Sequence, residues 1–122
     1  MEWSPVEQRL READTIANDP QATTVRLQLA EAEIRLAACQ IAAEIAKGKL
    51  GRITSPHNLN SKDVRAILNE AGYPAPTIDK VVATFGTSND ANHAPKHYQP
   101  NAQRIRQYVG TMRELLNQSG SK

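Results

Sequence analysis

Two histidines in the last third of this 122-residue chain have a spacing that could bind a metal ion. His93 and His97 are four residues apart, which places two imidazoles on one face of a helix. Pro95 lies between them and argues against a regular helix, and Asp90 could add only one oxygen ligand. We therefore expect no metal site in this segment.

The other chemically suggestive residues also lack the patterns that catalysis needs. Glu31, Glu33 and Glu44 have no Glu-x-x-His unit of a di-metal site, so we expect solvated carboxylates that pair with arginines. The segment 47–51, KGKLG, lacks the Gly-Lys-Ser/Thr ending and the preceding strand of a phosphate loop. Cys39 lies among alanines, where a buried packing thiol is expected rather than a nucleophile. The sequence predicts neither an enzyme nor a bound cofactor.

Composition describes a small protein with nearly balanced charge. The formal net charge is +2, which supports a nucleic-acid partner only if basic residues are gathered locally. Aromatic residues make up 4% of the chain, so the core must be aliphatic and rich in alanine. The single cysteine, the polar N-terminus and the lack of a long apolar run predict a cytoplasmic protein without a membrane partner.

Apolar residues recur at helical spacing, and the chain predicts one all-α domain over residues 1–122. About five helices should form a small bundle around a long central helix. Ser4 is expected to cap the first helix, with Glu7 completing a capping box. The long helix is predicted from about Thr24 to Lys47, ended by the segment 48–52, GKLGR, so that residues 1–50 form a helical hairpin with a possible dimerisation role.

The predicted long helix is apolar on two faces. Leu27, Ala30, Ile34, Ala37, Ala38, Ile41 and Ile45 form one stripe at about 100° per residue. Leu29, Ala32, Leu36, Cys39 and Ala43 form another on nearly the opposite face. Because both faces need cover, we predict a dimer interface at Leu29, Leu36, Cys39 and Ala43. The alternative is that the helix lies in the middle of a monomeric bundle.

The segment 61–86, SKDVRAILNEAGYPAPTIDKVVATFG, predicts two short helices joined by a turn at Gly72, as in a helix-turn-helix. Ser61 and Thr77 are the expected N-caps and Gly86 the expected end. Residues 87–100 are expected to form an exposed loop, and residues 101–118 a final helix. This last helix carries an apolar stripe that includes Ile105 and Val109.

Residues 61–88 resemble the DNA-binding region of plasmid KfrA-type regulators. The resemblance rests on Pro76-Thr77, Val81, Phe85-Gly86 and Ser88. It implies a helix-turn-helix that binds DNA. These residues cover roughly a fifth of the chain, and in those regulators the region stands at the N-terminus.

The residues that could contact DNA are basic or hydroxylated side chains around this pair of helices: Lys49, Arg52, Lys62, Thr77, Lys80, Thr84 and Arg106. The basic residues would bind phosphates, and the second helix would face the bases. The alternative is that these charges are scattered for solubility, and Asp79 is unfavourable in a helix that reads DNA. Two functions are therefore predicted: a small plasmid- or phage-encoded DNA-binding regulator, or a helical protein-interaction module such as an assembly subunit or inhibitor.

Overall fold

The computed structural model describes residues 3–93 and 101–120, with side chains for residues 3–85 and 101–120. Within this part the chain forms five α-helices and no strand, so the predicted all-α class is confirmed. The helices are α1 (Ser4–Ala17), α2 (Thr24–Leu50), α3 (Ser61–Glu70), α4 (Ala75–His93) and α5 (Ala102–Gln118), with a short 3-10 turn at Pro56–Asn58.

Helix α1 packs against α2 as an antiparallel hairpin. The predicted cap at Ser4 is wrong, because Trp3 is the N-cap and Ser4 is already helical; the Trp3 side chain makes no capping hydrogen bond. Pro5 in the first turn does not reduce the stability of the helix, since the backbone N–H that proline lacks would have no partner inside the helix. Val6, Leu10 and Ala13 form a buried apolar stripe along α1.

Helix α2 is the central element and contacts each of the other helices. Thr23 caps it by accepting a hydrogen bond from the Arg26 amide. The helix continues three residues past the predicted end at Lys47, to Leu50, and it ends within the predicted stop segment 48–52 at Gly51, whose φ of 66° is left-handed. Only glycine adopts this conformation without strain, and a single glycine inside a packed helix costs only about 1 kcal/mol.

The main core lies between the first apolar face of α2 and the other helices. Most of its members are buried aliphatic or small residues, and they include Val6, Leu10, Ala30, Ile34, Ala37, Ile41, Ile45, Val64, Leu68, Val81, Phe85, Ile105, Val109, Met112 and Leu115. The predicted aliphatic, alanine-rich core is confirmed.

Helices α3 and α4 follow each other closely, as the sequence predicted. Asn60, not Ser61, caps α3 in a reciprocal capping box with Asp63. Gly72 has a φ of 89°, so the predicted glycine turn after α3 is confirmed. The Tyr73 hydroxyl bonds Ser119, which donates to the Leu115 carbonyl, and so ties this turn to the end of α5.

Helix α4 differs from the prediction at both ends. It begins at Ala75, so that Thr77 lies inside its first turn rather than at the cap. It also continues through Gly86 to His93, so that residues 87–93 of the predicted loop are helical. Residues 94–100 of that loop lie outside the described residues, as do the side chains of both histidines of the suspected metal pair.

Replacing Ile34 by alanine tests the central position of α2. Ile34 is fully buried, so Ile34→Ala should lower the free energy of unfolding by about 2–5 kcal/mol. Ile53→Ala is a matched control, because Ile53 is 91% exposed and should change stability by less than about 0.5 kcal/mol. Urea denaturation measures both, and equal losses would contradict the burial pattern.

Candidate interaction surface

The residues predicted to bind nucleic acid are spread along the bundle. Lys49 and Lys80 are exposed toward the C-terminal end of α2. Lys62 is exposed in the first turn of α3, close to Cys39 in the middle of α2. Arg106 instead donates a hydrogen bond of 2.9 Å to the carbonyl of Ala17, the last residue of α1. Because the 27 residues of α2 span about 40 Å from end to end, Arg106 cannot join a site with Lys49 and Lys80.

Several charges at the α3–α4 end are already paired within the chain. Arg52 forms an ion pair with Glu70, and Arg65 forms one with Asp79 at 3.0 Å. The Lys49 ammonium lies 5.0 Å from the centre of the Tyr73 ring. The two ion pairs reduce the positive charge offered to phosphates, whereas the neutral ring leaves the charge of Lys49 unchanged.

The two threonines predicted to face bases are less accessible than expected. Thr84 is fully buried, and its hydroxyl donates to the Val81 carbonyl at 2.7 Å, so its predicted role is wrong. Helix α4 presents Thr84 to the core because its position falls on the same face as Val81 and Phe85. Thr77 is half-buried and donates to Gln118 of α5 at 3.3 Å.

The C-terminal half of the second apolar face of α2 is covered by the chain itself. Cys39 is 3% and Ala43 8% exposed, beneath the segment that contains the 3-10 turn. The Cys39 thiol donates to the Leu59 carbonyl at 3.7 Å, and burial raises its pKa. Their predicted place in a dimer interface is therefore wrong, whereas the prediction of a buried packing thiol is confirmed.

The N-terminal half of the same face is largely uncovered. Val25 is 65% and Leu29 57% exposed, while Ala32 and Leu36 are half-buried and lie outside the core cluster. We call these four residues the open stripe. Val25 and Leu29 are one helical turn apart, so they form a contiguous exposed apolar patch, the kind of surface through which proteins interact.

Polar residues border the open stripe on both sides. Arg26 and Glu33 lie on the side of α1, where Arg26 pairs with Asp19 at 3.2 Å and Glu33 with Arg9 at 2.7 Å. Gln28 and Arg35 are half-buried on the other side. An apolar centre with a polar rim is the arrangement found in protein–protein interfaces.

Val25 was missed by the sequence analysis, although a signal was present. Residues 25, 29, 32, 36, 39, 43 and 46 alternate steps of four and three, the spacing of a coiled-coil seam. That spacing identifies Val25 as the first member of the second stripe. It does not indicate which half of the stripe stays uncovered.

Glu31 lies inside the bundle rather than on the solvated surface that the sequence predicted. It is fully buried, and burial raises its pKa to about 7, partly opposed by Arg104, whose guanidinium lies 3.7 Å from Oε1. Glu33 does pair with an arginine, as predicted.

No group of three or more histidine, cysteine or acidic side chains in the described part of the chain is placed to hold a metal ion. The described helices also include none long and apolar enough to cross a membrane. Comparison with protein-family models, with curated proteins and with solved structures found no match to this chain. The resemblance of residues 61–88 to KfrA-type regulators therefore stays a prediction.

The buried carboxyl predicts a pH-dependent stability. Because the pKa of Glu31 rises from 4.5 in the unfolded chain to about 7, the folded state binds the proton more tightly. The tighter proton binding adds to the free energy of unfolding; this stabilisation is fully present below about pH 4.5 and is lost as the pH rises through 7. The free energy of unfolding should therefore fall by about 2–3 kcal/mol between pH 5 and 8.

Urea denaturation of the Glu31→Gln variant at pH 5 and pH 8 measures this effect. The variant should lose less stability than the wild type over this range, because its amide does not titrate. Glu114→Gln, at an exposed position of α5, is the control and should follow the wild type. The same pH dependence in Glu31→Gln and the wild type would contradict the assignment.

Proposed function

We propose that this protein is a helical interaction module that binds another protein through the open stripe of α2. The observation that supports this proposal is the exposure of Val25 and Leu29 on a helix whose second apolar face is covered at Cys39 and Ala43. Burying one such side chain contributes about 1.5–3 kcal/mol, so this small patch could anchor a partner.

The shape of the patch favours a helical partner. Its four members follow one line along α2, so an incoming helix can align its own apolar residues with them over three turns. The polar residues on either side would set the register and exclude poorly matched partners, because a misplaced charge is costly to desolvate.

Replacing Leu29 by glutamate tests this surface. Leu29→Glu should abolish association, since it places a charge at the centre of the apolar contact, while the monomer stays folded because the side chain is exposed. Ile53→Glu is the matched control, since Ile53 is an exposed apolar residue of the same size as Leu29 but lies away from the open stripe.

Two readouts detect association: light scattering for self-association, and capture from a cell extract for other proteins. Circular dichroism confirms the fold of each variant. If Leu29→Glu retains everything that the wild type binds, or if the wild type binds nothing in either assay, the proposal is wrong.

DNA binding is the second candidate, and the exposed lysines of the α3–α4 end favour it. Lys62 and Lys80 take part in no ion pair within the described residues, and the Lys49 ammonium keeps its charge beside the Tyr73 ring. The paired Asp79 and the buried Thr84 leave few groups on α4 for reading bases. The arrangement supports weak phosphate binding more than sequence recognition.

A salt series with a random duplex tests this candidate by fluorescence anisotropy. If the lysines contact phosphates, affinity should fall steeply as the salt concentration rises. Lys62→Ala or Lys80→Ala should each reduce the slope of log affinity against log salt concentration by about one. Arg106→Ala is the control and should leave the slope unchanged, because Arg106 lies at the other end. No binding at low salt, or equal effects of all three variants, would exclude this candidate.

A further inference from the structure

We propose that the open stripe binds the open stripe of a second copy of this chain, with the two α2 helices antiparallel. This inference rests on the proposed function, because it names the partner of the same surface. It differs from the dimer predicted from sequence, since the interface includes Val25 and excludes the C-terminal half of α2 that Cys39 and Ala43 occupy.

The apolar residues of the stripe are self-complementary in this orientation. With the twofold axis between Leu29 and Ala32, Val25 lies opposite Leu36 of the partner subunit, and Leu29 lies opposite Ala32 of the partner subunit. Val25 and Leu36 are of similar size, whereas Leu29 meets the much smaller Ala32. The small alanine lets the two helices approach closely at the centre of the contact. The four-and-three spacing keeps these pairs on the seam.

The polar borders are complementary in the same register. In an antiparallel pair, each border faces the same border of the other helix. Arg26 therefore comes beside Glu33 of the partner subunit, and Gln28 comes beside Arg35 of the partner subunit. Since Arg26 also pairs with Asp19 and Glu33 with Arg9, the contact extends two ion pairs into one alternating network.

The covered half of the face favours the antiparallel orientation over a parallel one. A parallel partner helix would continue along α2 past Leu36 and meet the segment 51–60, which packs over Cys39. An antiparallel partner overlaps α2 only over residues 25–36. It then leaves beyond the N-terminus of α2, so it does not need the space that this segment fills.

Disulfide trapping tests both the partner and the orientation. The single native thiol is removed by Cys39→Ala, and Val25→Cys or Leu36→Cys is added to separate samples. In the antiparallel dimer each variant alone should stay largely uncross-linked, because two copies of the same position lie about 16 Å apart along the axis. Mixing the two variants should give a cross-linked dimer on mild oxidation.

Light scattering on the wild type gives its mass in solution, which should be twice the 13.4 kDa of the chain. Leu29→Glu should halve this mass. Efficient cross-linking of either variant alone, without enrichment in the mixture, would indicate a parallel pair and overturn the inference. A wild type that stays monomeric at high concentration would also overturn it. If that monomer still captures another protein through Leu29, the proposed function survives with a different partner; if it captures none, both fail.

Discussion

The structure depends on the requirement that α2, which is apolar on two faces, be covered on two sides. One face is filled by α1, α4 and α5, which surround Ile34 and its neighbours. On the other face the segment 51–60 and α3 reach Cys39 and Ala43 but leave Val25 and Leu29 exposed. Burial of aliphatic surface stabilises the fold, and the uncovered remainder provides the surface available for binding.

Periodicity in the sequence predicts the helices and the core, but the ends of the helices depend on contacts that periodicity does not contain. The apolar positions of α2 and α5 repeat over many turns, which is why Ile34 and Ile105 were placed correctly. Gly48 and Gly86 look like helix ends because glycine has low helical propensity, yet α2 and α4 continue through them. In both helices packing of the surrounding turns outweighs a local cost of about 1 kcal/mol.

The candidate surface could be predicted only in part, for a similar physical reason. The second stripe of α2 was recognised from sequence, but its division into covered and open halves was not. That division arises because the polar segment 51–60 folds back onto Cys39, a tertiary contact without a sequence pattern of its own. Glu31 and Thr84 were likewise misplaced, because each is a polar residue on a helix face that the bundle buries. Polar type alone does not reveal such burial.

The two proposed surfaces constrain each other through geometry. In an antiparallel dimer centred between Leu29 and Ala32, the C-terminal ends of the two α2 helices would lie about 60 Å apart, because each extends nearly 20 residues from the axis. Dimeric helix-turn-helix proteins instead place their reading helices about 34–36 Å apart, one turn of the duplex. Lys49, one residue before the end of α2, would lie nearly as far from its copy in the partner subunit as the two C-terminal ends lie from each other, which is too far for adjacent half-sites. The dimer therefore fits an assembly role, with lysines at its far ends that would contact separate stretches of nucleic acid if they bind it at all.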